Sequence, residues 1–190
     1  SQGLSKLENL HCLGISFFGF EGKVPQLCEI IQRMKSLEEL DFKIQRPDFN
    51  EYKDVRVLNL KFPVRLKKLA LRMNTDNILF DPAITLWSLE NLVHLELEFP
   101  HLWSDLWRKV LKDFGKLKNL EVLVLKETGS TNGSEYSSQI KEKLESLMKE
   151  NLSLKLIIFW DIHGSNTMVF KRDCWKWGEI NKLMSECCCL

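Results

Sequence analysis

One short leucine pattern recurs five times along the chain and limits what the chain can fold into. Each copy has two leucines three residues apart, followed two residues later by a third apolar residue. The copies are Leu10-x-x-Leu13-x-Ile15, Leu37-x-x-Leu40-x-Phe42, Leu66-x-x-Leu69-x-Leu71, Leu92-x-x-Leu95-x-Leu97 and Leu120-x-x-Leu123-x-Leu125. Successive copies begin 27, 29, 26 and 28 residues apart. Because five copies keep nearly one period, the pattern predicts a structural unit that is repeated along the chain.

The spacing within each copy indicates how this unit is built. Residues three apart lie on one side of a helical turn, whereas residues two apart lie on one face of a strand. A period of about 20 to 29 residues with this spacing is typical of leucine-rich repeats. We therefore expect an α/β fold, a leucine-rich repeat solenoid of about five or six irregular repeats over residues 4–160. A curved parallel sheet would form its concave side, and helices or helical turns its convex side.

The segments between the predicted strands have helical periodicity. Apolar residues recur at helical intervals in VPQLCEIIQRM (24–34), SDLWRKVLKDFGKL (104–117) and SSQIKEKLESLMKE (137–150). These three segments are predicted to be the helices of the convex side.

The repeat register is ambiguous at one place and is lost at the C-terminus. Val55-x-x-Leu58-x-Leu60 has the same shape as the other copies but begins only 11 residues before Leu66. We favour the Leu66 register because it keeps the period. Residues 161–190 no longer follow the period, and we expect them to form a capping segment or tail.

Charge and motif content argue against several functions. The 27 basic and 26 acidic residues leave a formal net charge of +1, so nucleic acid is not an expected partner. The four histidines have no partner at metal-ligand spacing, and no glycine-rich loop of a phosphate-binding type occurs. We therefore expect neither an enzyme, nor a cofactor, nor a metal site.

The six cysteines bear on location. Their spacing suits neither a disulfide framework nor a zinc site, which favours a reducing compartment and predicts a cytoplasmic protein. The final four residues, CCCL, formally fit a lipidation motif with Cys187 as the modified residue. A membrane would be a partner only if these cysteines carry lipid, because no apolar run approaches membrane-spanning length.

The polar residues between the core leucines are the candidate binding site. In a leucine-rich repeat strand these residues point to the concave face, where a partner protein can contact them. Opposite charges on neighbouring strands either pair with each other or recognise a complementary partner. The predicted partner-binding residues are Glu38, Glu39, Asp41, Lys67, Lys68, Arg72, Glu96, Glu98 and Lys126.

Two segments carry a resemblance to a known family. FPVRLKKLALRM (62–73) resembles a strand of the form FP...LKKLxL, and FGKLKNLEVLVLKETGS (114–130) resembles LxKLxNLEVLxLK. Both forms are common in the C-terminal leucine-rich repeats of plant intracellular immune receptors of the nucleotide-binding, leucine-rich-repeat class (NLR). The resemblance covers about residues 4–160.

This resemblance implies a role in plant defence and innate immunity. The repeats would sense a ligand and keep a receptor inactive, by contacting a pathogen effector, a guarded host protein or the receptor's own nucleotide-binding domain. The chain has no phosphate-binding loop, so nucleotide binding would belong to another part of such a receptor. The alternative is a leucine-rich repeat adaptor, either anchored by lipid or of the ubiquitin-ligase type.

Overall fold

A seven-stranded sheet forms the centre of the structure. The structure is a computed structural model, and it describes residues 9–18, 24–45, 56–58, 60–74, 78–80, 85–99, 114–128, 134–161 and 167–172. In chain order, the elements are β1 (Cys12–Phe18), α1 (Val24–Gln32), β2 (Glu39–Gln45), β3 (Arg56–Leu58), β4 (Lys68–Asn74), β5 (Ile78–Phe80), β6 (His94–Phe99), β7 (Val122–Glu127), α2 (Ser134–Glu150), β8 (Leu156–Asp161) and β9 (Thr167–Lys171). The large sheet has the order β1-β2-β4-β6-β7-β8-β9. Its first six strands are parallel, and β9 pairs antiparallel with β8. The fold is thus α/β, with a mostly parallel sheet and few helices.

The strands pair in the register that the leucine pattern predicts. The second leucine of each copy lies beside its counterpart in the next strand: Leu13, Leu40, Leu69, Leu95 and Leu123 form one continuous row. Ile157 of β8 continues this row. The row lies in a large apolar core on one face of the sheet, which we call the core face.

The three-residue spacing is explained by a backbone turn that recurs along the chain. The N–H of the leucine that opens a copy donates to the carbonyl oxygen three residues earlier, as in Leu37 to Met34 (3.2 Å) and Leu120 to Leu117 (3.1 Å). Leu66, Leu92 and Leu154 make the same bond. This single turn brings the two leucines onto one side before the chain extends into the strand.

The favoured register around residue 66 is the one found in the large sheet. Leu66 is buried, and β4 follows it as the third strand of that sheet. Residues Arg56–Leu58 instead form β3, which pairs in parallel with β5 in a separate two-stranded sheet. The strand described within this extra copy of the pattern, Arg56–Leu58, therefore does not belong to the large sheet.

Two helices pack against the core face. In α1 the buried residues Val24, Cys28 and Ile31 recur at helical spacing, and in α2 Ile140 and Leu144 do the same. Burial raises the pKa of the Cys28 thiol to about 11, so this thiol stays protonated near neutral pH. Most of the third predicted helix, 104–113, lies outside the described residues, and Phe114–Lys116 forms a short 3₁₀ turn.

The sheet continues into the segment predicted as a cap or tail. Thr167–Lys171 forms β9 beside β8, and Met168 and Phe170 pack against the large core. Arg172 follows, and its guanidinium donates to the carbonyl oxygens of Leu154 (2.6 Å) and Met148 (2.7 Å). This part of residues 161–190 therefore shares one sheet with the residues before it. Residues 173–190, including Cys187, lie outside the described residues.

Candidate functional site

The face of the sheet opposite the core face, here called the second face, carries most of the predicted binding residues. Across the strands, one row along this face reads Cys12, Glu39, Lys68, His94, Val122 and Leu156. Cys12, Glu39 and Lys68 are exposed, His94 is partly buried, and the last two residues are buried. Along this row the second face therefore changes from solvent-accessible at β1, β2 and β4 to buried at β7 and β8, whereas Ala70 and Arg72 of β4 are also buried.

Directly before the strands, a second row of residues lines the amino-terminal edge of the sheet. Here Lys67 pairs with Glu38 across β4 and β2, with Nζ 2.9 Å from Oε2 and side chains 58% and 42% exposed. The hydrogen bond from Lys67 lowers the pKa of Glu38 below its usual value. Lys155 and Glu121 form a similar pair, at 2.6 Å. Exposed pairs of this kind contribute little to folding.

A buried network of ion pairs occupies the middle of the second face. Arg72 of β4 lies 3.4 Å from Asp41 of β2, 3.2 Å from Glu96 and 3.9 Å from Glu98 of β6. Lys126 of β7 lies 2.7 Å from Glu96 and 4.0 Å from Glu98. Glu96 therefore has a cation from each neighbouring strand. We call these five residues the ion-pair network.

Burial, rather than surface exposure, sets the electrostatics of this network. Arg72, Glu96 and Lys126 are 5%, 2% and 7% exposed. Burial raises the pKa of Asp41, and the positive charge of Arg72 opposes this increase. Lys126 also lies over the ring of Trp160, with Nζ 4.9 Å from the ring centroid, a favourable cation–π distance. Such buried charges are stable only while they stay paired.

Next to the network, the second face becomes apolar. Val122, Val124, Leu156 and Ile158 form a buried cluster of their own, with Trp160 and Val169 packed at its margin. The sequence reasoning above missed this cluster because it treated every position between core leucines as polar surface. The sequence does indicate this cluster: the runs VLVL (122–125) and LIIF (156–159) lack the alternation of polar and apolar residues that is typical of a strand with one solvent-exposed face.

The nine predicted partner-binding residues therefore separate into two groups. Six are at least partly exposed: Glu38, Glu39, Asp41, Lys67, Lys68 and Glu98. Arg72, Glu96 and Lys126 are buried within the ion-pair network. Contrary to the sequence-based expectation, these three side chains pair with one another within the sheet and do not offer a surface to a partner. The most exposed charges, Glu38, Glu39, Lys67 and Lys68, lie together on β2 and β4 or just before them, and we call them the charged quartet.

The remaining features of the described part of the chain concern metal binding, membrane spans and free thiols. Among those residues, no three histidine, cysteine or acidic side chains are grouped so that they could hold a metal ion. Their helices include none that is both long and apolar enough to cross a membrane. Cys12 and Cys28 are free thiols.

Comparison of the chain with protein-family models, curated proteins and solved structures gave no match.

Proposed function

We propose that the chain is a protein-recognition module built as a leucine-rich repeat solenoid, and that the charged quartet contacts the partner. The supporting observation is the alignment of the leucines in one buried row. Because the core takes one face of each strand, the other face is left to present a row of side chains at fixed spacing. At Glu39 of β2 and Lys68 of β4 this face is charged and exposed, and Glu38 and Lys67 precede them at the amino-terminal edge.

The composition of the quartet favours a folded protein as the partner. It has two acidic and two basic residues, with Glu39 beside Lys68 in the strand register and Lys67 bonded to Glu38. A surface with no excess of either sign does not attract a polyanion such as nucleic acid. It does match a partner surface on which charges of both signs alternate, and such matching sets specificity and register.

The resemblance to NLR repeats extends this proposal to biology. In that reading the module works in the cytoplasm as the sensing and autoinhibitory part of an immune receptor. Its partner is a pathogen effector, a guarded host protein or the receptor's own nucleotide-binding domain. We propose that it catalyses no reaction itself and binds its partner without a cofactor.

The test is an affinity experiment with a double charge reversal. The intact chain and the Lys67→Glu, Lys68→Glu variant are immobilised at equal density, exposed to lysate of the source cells and compared by quantitative mass spectrometry. The matched control is Lys141→Glu with Lys149→Glu, which reverses two exposed charges on α2, away from the sheet. A protein retained by the intact chain and by the control, but lost from the quartet variant, supports the proposal. Equal retention by all three would contradict a role for the quartet.

A further inference from the structure

An open groove of about 410 Å³ crosses the amino-terminal edge of the sheet. It lies in front of strands β4, β6, β7 and β8, and the turns before these strands form its walls. The lining residues are Lys67, Asn91, Val93, Lys118, Asn119, Glu121, Leu152, Ser153 and Lys155. None of these residues belongs to the ion-pair network, and only Lys67 belongs to the charged quartet.

The backbone of the groove is held in place by hydrogen bonds between successive turns. The side-chain amide of Asn91 donates to the carbonyl oxygen of Val64 (3.1 Å). The side-chain amide of Asn119 donates to the backbone carbonyl oxygen of Glu90 (2.8 Å). Backbone bonds of 2.8 Å from Glu121 to Val93 and from Lys155 to Glu121 complete the floor. Because these bonds fix the turns before a ligand arrives, binding does not require the groove itself to become ordered.

The charge of the groove is positive. Three lysines and one glutamate line it. Lys155 pairs with Glu121, and Lys67 pairs with Glu38, which is not a lining residue; all four side chains are at least 39% exposed. Lys118 is exposed and takes part in no ion pair with the described residues. Since exposed ion pairs contribute little, carboxylates of a ligand can replace the present partners of Lys67 and Lys155.

An apolar contact is available at the same place. Leu152 is 81% exposed, an unusual state for a leucine, and Val93 on the groove floor is only partly buried. A side chain that covers both would gain from removing apolar surface from water. Three strand spacings of about 4.8 Å separate β4 from β8, which gives a width of about 14 Å. An extended peptide crosses this width in about four or five residues.

We propose that this groove binds a short, extended, acidic segment of a partner protein. An apolar side chain of the segment covers Val93 and Leu152, and its carboxylates meet Lys67, Lys118 and Lys155. The inference rests on the proposed function, because it assumes that the chain recognises proteins. It adds a second contact surface, on the edge of the sheet instead of its second face.

The lining favours a peptide over single-stranded nucleic acid. Nucleic-acid grooves combine positive charge with aromatic side chains on which bases stack. None of the nine lining residues is aromatic, so bases would find no side chain in the groove on which to stack. An acidic peptide with an apolar residue satisfies both the lysines and Leu152.

The experiment is a selection of random twelve-residue peptides displayed on phage, with the full chain as target. Enriched peptides are synthesised with a fluorescent label, and their dissociation constants are measured by fluorescence anisotropy at two salt concentrations. The groove variants are Lys118→Glu and Leu152→Ser. Their controls are Lys35→Glu and Val64→Ser, which alter exposed residues at the equivalent turns before β2 and β4 but outside the groove.

The expected peptides contain acidic residues next to a large apolar residue and bind more weakly at high salt. Lys118→Glu should weaken binding at least about tenfold, since a repelling charge replaces an attracting one, and Leu152→Ser should also weaken it. The two controls should bind as the unchanged chain does. The groove proposal is overturned by a selection that enriches no acidic peptide, by equal losses in the control variants, or by tighter binding of a labelled single-stranded oligonucleotide. Lys67 belongs to both surfaces, whereas Lys118 and Leu152 lie only in the groove and Lys68 only in the quartet. A partner lost from Lys68→Glu but kept by Lys118→Glu and Leu152→Ser is therefore assigned to the quartet, and the reverse result to the groove, so either proposal can fail alone.

Discussion

Nη2 of Arg72 on β4 lies 3.2 Å from Oε1 of Glu96 on β6, and the two side chains are only 6% and 3% exposed. The same oxygen of Glu96 lies 2.7 Å from Nζ of Lys126. In a sheet whose core face is almost wholly apolar, these charges are confined to the opposite face, where strand neighbours supply partners. Because solvent cannot replace a lost partner there, the ion-pair network should be far more sensitive to substitution than the exposed Lys67–Glu38 pair.

Arg72→Met should lower the free energy of unfolding by about 3 to 5 kcal/mol, since it leaves the carboxylates of Asp41, Glu96 and Glu98 with too few cations. The measurement is urea unfolding followed by circular dichroism at pH 7. Adding Glu96→Met to Arg72→Met should recover part of the loss, because it removes one of the uncompensated charges.

Arg65→Met provides the control for this substitution. Arg65 is exposed, just before β4, so replacing it should change the stability by less than about 0.5 kcal/mol. A loss below about 1 kcal/mol for Arg72→Met would show that the network is accessible to water and would restore Arg72 as a candidate binding residue.

His94 should make the stability depend on pH between about 7.5 and 5. Its burial on the second face, reinforced by the charge of Lys68 and opposed by Glu96, lowers its pKa from 6.5 to about 4. The unfolded chain therefore binds a proton near pH 6.5, whereas the folded chain stays neutral until about pH 4. The unfolded state is favoured as the pH falls through this window. From pH 7.5 to 5 we expect a loss of about 2 kcal/mol, measured by urea unfolding at several pH values.

The variant His94→Gln isolates this effect, because glutamine does not titrate. Its stability should change little over the same pH interval, whatever its absolute value at pH 7.5. Lys68 and Glu96, which act on His94, are present in both chains, so the difference between the two slopes comes from His94 itself. An unchanged slope in His94→Gln would mean that His94 is well solvated in the folded chain.

Much of the fold was predictable from the sequence because it depends on apolar periodicity. The leucine row, the register of five parallel strands and the helices over 24–32 and 134–150 all follow from spacings of two, three and four residues. The same reasoning does not show which neighbours come together on the second face. Arg72, Glu96 and Lys126 look like ordinary surface charges in the sequence, and only the strand register places Glu96 between two cations.

The candidate sites were harder to predict, for a physical reason. A pattern shows which face of a strand a side chain takes, but its exposure depends on what else lies on that face. Thus Lys43 and Lys126 occupy equivalent positions in their strands, yet Lys43 is partly exposed and Lys126 is buried. The groove was also beyond sequence reasoning, since it combines turns from four strands. Leu152 gives no sign in the sequence of being left exposed.

Leu123→Asp should unfold the chain, because it places a charge in the middle of the large core. Leu123 is fully buried and lies in the row between Leu95 and Ile157, with no described cation on the core face beside it. An unpaired buried carboxylate costs several kcal/mol, which is comparable with the whole stability of a domain. Far-ultraviolet circular dichroism and thermal unfolding of the purified variant are the measurements.

The double variant Lys67→Glu, Lys68→Glu is the comparison for Leu123→Asp. It reverses two exposed charges and should leave the fold intact, because the exposed pair with Glu38 that it breaks contributes little to stability. Should the two variants lose structure to the same extent, the assignment of core face and second face would be wrong.

Arg172 should stabilise the contact between the end of β9 and the C-terminus of α2, although it lies beyond the residues that follow the leucine pattern. Its guanidinium donates to the carbonyl oxygens of Met148, Leu154 and Asn151, at 2.7, 2.6 and 3.3 Å, near the C-terminus of α2. A helix end leaves such carbonyls without partners, and a cation there is favourable. Arg172→Leu should therefore lower the free energy of unfolding by about 2 kcal/mol, measured by urea unfolding. It should also speed amide hydrogen exchange in the last turn of α2.

Arg33→Leu, at an exposed arginine after α1, is the control and should change neither quantity. Equal exchange rates in α2 for both variants would show that the end of the helix is stable without Arg172. The stability of the fold would then not depend on the contacts between Arg172 and α2.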